Sequence, residues 1–153
     1  VIEAFRGRCY NSLVGVTPDG VRWLHYRKRH PWYPETWATP GKAPFPLVHW
    51  RGLEVTCAVC FDLHFLPAEA AEVLARADLL LFPSAWVDGG DTRRPMLEAL
   101  ATVFRVTVLN ANWGVGLPAI KGQGGSLVAW PDGHVDVLGQ RGRRLDALLP
   151  APR

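Results

Sequence analysis

Long apolar runs are missing from this 153-residue sequence. The longest, around Ala77 to Pro83 and Val106 to Leu109, fall well short of the ~20 residues that a membrane-spanning helix needs, so no membrane partner is expected. Cysteine is scarce. Cys9, Cys57 and Cys60 make an odd set without the spacing of a disulfide framework, and no signal peptide is read ahead of them, which sets the expectation of a reducing cytoplasm. Charge of one sign is also lacking: the net +3 is scattered except in Tyr26-Arg27-Lys28-Arg29-His30 and Arg141-Gly142-Arg143-Arg144. Such short basic runs read as solvated faces, and no nucleic-acid partner is expected. What is present is the balance of a globular domain, with 48% apolar residues. Val1-Ile2-Glu3-Ala4-Phe5 is strand-like and carries no initiator Met, so the expectation is a single domain over residues 1–153 that lacks an N-terminal segment.

Turn residues punctuate the chain. Ser12 to Val16 and Val21 to Tyr26 flank Thr17-Pro18-Asp19-Gly20, which predicts a hairpin. Residues 29–46 carry prolines 31, 34, 40, 44 and 46, a composition that resists helix and central strand and predicts a long ordered loop. Leu53 to Cys60 is a nearly continuous β-prone run, read as a buried strand with Cys60 at its C-terminal end. Pro67 to Arg76 reads as a short amphipathic helix and Ala77 to Phe82 as a strand. Asp91 is placed to cap a helix through Phe104, with Leu97, Leu100, Ala101 and Phe104 on one face. Arg105 to Asn110 is the next strand, residues 111–124 a glycine-rich loop, and Gly125–Trp130 with His134–Leu138 a second hairpin. Strands and helices in this order predict a layered mixed α/β domain.

The segment Val55-Thr56-Cys57-Ala58-Val59-Cys60-Phe61-Asp62-Leu63-His64 places a thiol at a strand end, where a nucleophile is exposed and the next backbone N–H, that of Phe61, can face a developing oxyanion. Lys28, at the end of the first hairpin, is the cation that can lower the thiol pKa and polarise an intermediate. Cys57 and Cys60 also form a Cys-x-x-Cys, but in an extended segment these positions face opposite sides, so dithiol exchange is not expected. With His64 they make three metal donors, short of the four that structural zinc sites use, and no metal or cofactor is expected.

Tyr10-Asn11-Ser12, Pro18-Asp19-Gly20, Tyr26-Arg27-Lys28, Glu35, Cys60-Phe61-Asp62, Phe82-Pro83-Ser84-Ala85-Trp86, Asn110-Ala111-Asn112 and Gly124-Gly125-Ser126 follow one another with Cys60 32 positions after Lys28. This order resembles the nitrilase, or carbon–nitrogen hydrolase, superfamily along nearly the whole chain. The resemblance implies an α+β fold, a four-layer αββα sandwich present here as a partial domain. It also implies a Glu-Lys-Cys triad in which the cysteine forms a thioester. Lys28 and Cys60 match two of its members, while the family's general-base glutamate falls upstream of Val1. Glu35 matches a second glutamate near the lysine, and Trp86 a position that lines the substrate pocket. Asn110 and Asn112, at a strand end, can bond backbone or substrate. The function implied is hydrolysis of carbon–nitrogen bonds in small linear amides or nitriles, with a small-molecule amide as partner and a homo-oligomer when intact. Two other readings stay open: a catalytically silent fragment or interaction module, and an N-acyltransferase using the same thioester.

Overall fold

The computed structural model describes residues 1–116, 122–139 and 144–149. Most of the second basic cluster and the centre of the glycine-rich loop lie outside them. Two sheets carry the architecture. The smaller is an antiparallel meander of β1 (Ile2–Phe5), β2 (Arg8–Val16) and β3 (Arg22–Arg27). The Pro-Asp-Gly turn closes β2 on β3, with Gly20 at φ +84° and its amide donating to the Thr17 carbonyl at 2.9 Å. Only glycine adopts that angle without a Cβ penalty.

The larger sheet runs β4 (Leu47–Trp50), β5 (Leu53–Cys57), β6 (Leu79–Ser84), β7 (Thr107–Asn112), β8 (Leu127–Ala129) and β9 (Val135–Val137), in sequence order. Its central strands β5, β6 and β7 are parallel, while β4, β8 and β9 pair antiparallel. Parallel neighbours need crossovers, and right-handed crossovers taken in one direction across a sheet put their helices on one face. These are α1 (Leu66–Glu69) and α2 (Ala71–Arg76) after β5, and α3 (Arg93–Phe104) after β6. Leu66, Leu74, Leu97, Leu100 and Ala101 from the helices share a core with Leu80, Phe82 and Val108. The opposite face meets the smaller sheet: Trp23 of β3 packs with Leu53, Val55 and Leu79, and stacks on Trp50 at 4.6 Å. Helices, sheet and sheet are three layers of the αββα arrangement.

Several elements differ from their sequence expectation. The β5 strand stops at Cys57, and Cys60 opens a 3-10 turn, Cys60–His64. The helix expected from Pro67 is broken at Ala70 (φ −132°) into α1 and α2. Asp91 does not cap α3. It sits at φ +44° and pairs with Arg93, while the Asp88 carboxylate receives the Thr92 amide at 3.1 Å. The strand β4 follows directly on the proline-rich loop and was not expected from its four residues. Among the described residues no helix is long and apolar enough to cross a membrane.

Candidate active site

Alternation along β3 sends Leu24, Tyr26 and then Lys28 to the face that meets the larger sheet. All three are buried, Lys28 to 2% exposure. Its backbone continues the ladder by donating to the Asn11 carbonyl at 2.8 Å, and its carbonyl accepts from Gly41 at 2.8 Å. A Cβ on Gly41 would lie 2.1 Å from the Arg27 carbonyl oxygen, so only glycine lets the proline-rich loop press this close.

A buried ammonium needs a partner, because an unpaired charge away from water costs several kcal/mol. Glu35 supplies it: Lys28 Nζ donates to Glu35 Oε2, which also accepts the Trp32 amide at 2.7 Å, while Asn11 Nδ2 donates to Oε1 at 2.6 Å. Burial pushes the Glu35 carboxyl up, but these donors, Lys28 foremost, outweigh it and hold the group below its ordinary value. With Lys28 and the Trp32 amide on one oxygen and Asn11 on the other, Glu35 is tied directly to Lys28.

Cys60 stands opposite, at φ +50°, in the left-handed region that a non-glycine residue enters at a cost of about 1–2 kcal/mol. Residues held there concentrate at functional sites. Burial raises the thiol pKa above its ordinary value. The amides of Ala85 and Phe61 and the Lys28 charge act in the other direction, and Glu35 adds to the rise. The lysine's effect has the expected sign but is outweighed by burial.

Asp62 holds the two halves together. The residue is fully buried, and it accepts from the Tyr26 hydroxyl at 2.8 Å, the His30 amide at 2.9 Å and the Val59 amide at 2.9 Å. The first two donors flank Lys28 and the third precedes Cys60, so a single carboxylate sets the lysine segment against the cysteine turn. Tyr26 and Asp62 stand in the motifs read from the sequence, but neither was given a role there. The available signal was an acidic residue inside the apolar run Val59 to Phe65.

Of the residues expected at the site, Lys28, Glu35 and Cys60 line one cavity of about 560 Å³, and Cys60, Phe61 and Trp86 line a neighbouring one of about 300 Å³. Asn110 is not brought to the cysteine. Its Nδ2 donates to the Phe82 carbonyl at 2.7 Å and the Ser84 hydroxyl at 3.0 Å, and its Oδ1 accepts from buried Arg93 at 2.9 Å, which spends its hydrogen bonds on the β6 and β7 ends. Asn112 acts alike, its Oδ1 accepting from the Trp86 amide and the Ser84 hydroxyl, both at 2.9 Å. Among the described residues no group of three or more His, Cys, Asp or Glu is placed to hold a metal ion.

A strand-to-turn cysteine sharing a cavity with a buried lysine–glutamate pair, on two stacked sheets with an outer helical layer, is an arrangement of the αββα sandwich class. No family model matches the chain. An (R)-stereoselective amidase from Pseudomonas sp is 32% identical over 136 residues, covering 87% of this chain and 49% of the relative. The solved amidase of Nesterenkonia sp. AN1 in complex with butyramide is 27% identical with a TM-score of 0.73, covering 88% of this chain and 52% of that one. In another structure of that amidase, 29% identical, TM-score 0.66 and covering 86% and 57%, acrylamide has added to the active-site cysteine. The chain belongs to the nitrilase, or carbon–nitrogen hydrolase, superfamily. It spans about half the length of the curated relatives it matches.

Proposed function

We propose that the chain carries the nucleophile and lysine of a hydrolase that cleaves the carbon–nitrogen bond of small amides through a cysteine thioester. The observation that carries this reading is the left-handed turn at Cys60, which shares a cavity with a buried Lys28–Glu35 pair. A base removes the thiol proton as sulfur attacks the carbonyl carbon. Lys28 and the Phe61 amide stabilise the oxyanion. The proton passes to the leaving nitrogen, ammonia or an amine departs, and a thioester remains on Cys60. Water, deprotonated by the same base, then releases the carboxylic acid and restores the thiol. The superfamily resemblance implies that the base is a glutamate upstream of Val1, and Glu35, bonded to Lys28, Asn11 and Trp32, orients the lysine.

The test expresses the 153-residue chain beside a form extended upstream through the full reading frame, and measures ammonia release from small aliphatic and aromatic amides. The expected result is release by the extended form and its loss, by about 10³-fold or more, in Cys60→Ala. Release that survives Cys60→Ala unchanged sinks the reading. Adding hydroxylamine during turnover distinguishes water from an amine as the preferred acceptor of the acyl group.

A further inference from the structure

Cys60 lies on the border of two cavities whose walls differ in character. The larger holds the Lys28–Glu35 pair. The smaller is walled by Trp32, Phe61, His64 and Trp86, with Asp88 completing its charged complement. Its rings support one another: His64 stacks on Trp86 at 5.4 Å, and Phe61 tilts against His64 at 4.9 Å.

The lining contains no lysine or arginine, so an anion entering it meets the Asp88 charge without a counter-ion. Nor does Asp88 offer a cation a free acceptor. Its Oδ1 takes the amides of Gly90 and Thr92 at 3.1 Å each, and its Oδ2 takes Trp86 Nε1 and the Thr92 hydroxyl at 2.5 Å each. A carboxylate presents about four lone-pair directions, and four donors occupy them. What remains for a ligand is aromatic surface, which rewards apolar and planar groups, while a carboxylate entering it would be desolvated beside the Asp88 charge.

We infer that this aromatic cavity is the acyl-group site, selecting amides whose acyl part is uncharged and aromatic over those carrying a carboxylate. The inference rests on the amide-hydrolase reading above. The carbonyl carbon lies at the Cys60 sulfur, its oxygen faces Lys28 and the Phe61 amide, and the nitrogen leaves on the Lys28–Glu35 side.

The experiment reads occupancy without needing turnover. Cys60 of the 153-residue chain is alkylated with iodoacetamide at alkaline pH, and modification is followed peptide by peptide by mass spectrometry. Exposed Cys9 is the internal reference, and buried Cys57, unmodified in the folded chain, reports folding. The probes are 4-methylbenzamide and a charged analogue of similar size, 4-carbamoylbenzoate. The neutral amide is expected to slow Cys60 alkylation about tenfold, the scale on which apolar pockets discriminate, with Cys9 unaffected. The carboxylate is expected to leave the rate nearly unchanged. Phe61→Ala and Trp32→Ala are both expected to abolish protection. Equal protection by the carboxylate, or full protection in both variants, overturns the assignment. Hydrolysis of a small aliphatic amide by the extended form without protection by 4-methylbenzamide overturns it alone. Protection without hydrolysis of any amide by the extended form leaves a neutral-ligand site and removes the hydrolase reading.

Discussion

The three-stranded sheet carries a carboxylate network on each face, and the two behave in opposite ways. On the face turned from the larger sheet, Glu3 accepts from Arg27 at 2.5 Å and 3.1 Å, from the Ser12 hydroxyl at 2.7 Å and contacts His25 at 2.9 Å. Those partners, Arg27 foremost, hold its carboxyl far below the usual range. Between the sheets, Asp62 is buried with three neutral donors, and burial pushes its carboxyl above the usual value despite them. The outer network is charge against charge at a partly wet surface, where water replaces a lost partner. The inner one is geometry: nothing replaces a lost partner there, and the lysine segment and cysteine turn both hang on it.

The strongest way to break the contrast is Asp62→Ala, which strands the Tyr26 hydroxyl and two buried amides. It is expected to cost about 3–5 kcal/mol in urea unfolding, with Tyr26→Phe costing about 1–2 kcal/mol. Glu35→Gln tests the neighbouring pair by leaving the Lys28 ammonium without its countercharge, and is expected to cost about 3 kcal/mol in the same measurement. A loss under 1 kcal/mol for both Asp62→Ala and Glu35→Gln, on the scale of exposed ion pairs, erases the distinction. Arg27→Ala on the outer face is expected to cost only about 1 kcal/mol, part of it from guanidinium packing over the Tyr10 ring at 4.1 Å.

The smallest effect is a difference in pH slope. Glu3 has a depressed folded pKa, so its contribution is present above the ordinary 4.5 and is lost as pH falls toward the folded value. Asp62 has a raised folded pKa, so the folded state takes up its proton first and gains stability as pH falls from that value to the ordinary 3.8. Urea midpoints between about pH 5 and pH 2 are therefore expected to fall less steeply in Glu3→Gln than in the wild-type chain, and more steeply in Asp62→Asn. Identical slopes in all three proteins contradict the assignment of the two networks.

How much of this was legible in the sequence depended on whether the signal was local. The hairpins were, because Pro-Asp-Gly fixes a turn whatever surrounds it. Lys28 and Cys60 were, because each ends an apolar segment and their order matches a known pattern. Asp62 was not, because its partners lie 36 and 32 positions away and three along the chain. The cap expected at Asp91 failed for a related reason: its left-handed backbone and its pairing with buried Arg93 are set by the surrounding fold. Asn110 was left between backbone and substrate because it closes a strand, and buried Arg93 beneath it is a tertiary fact.

The backbone angle at Cys60 bears on how far such a protein can be stabilised. Glycine in place of alanine ordinarily loosens a chain by about 0.5–1 kcal/mol, yet at a left-handed position the balance reverses. Cys60→Gly should therefore melt no lower than Cys60→Ala, both lacking sulfur. Any selection for heat tolerance alone would drift toward glycine at this position and discard the thiol, so a cysteine persists here only where it is selected for something besides the fold.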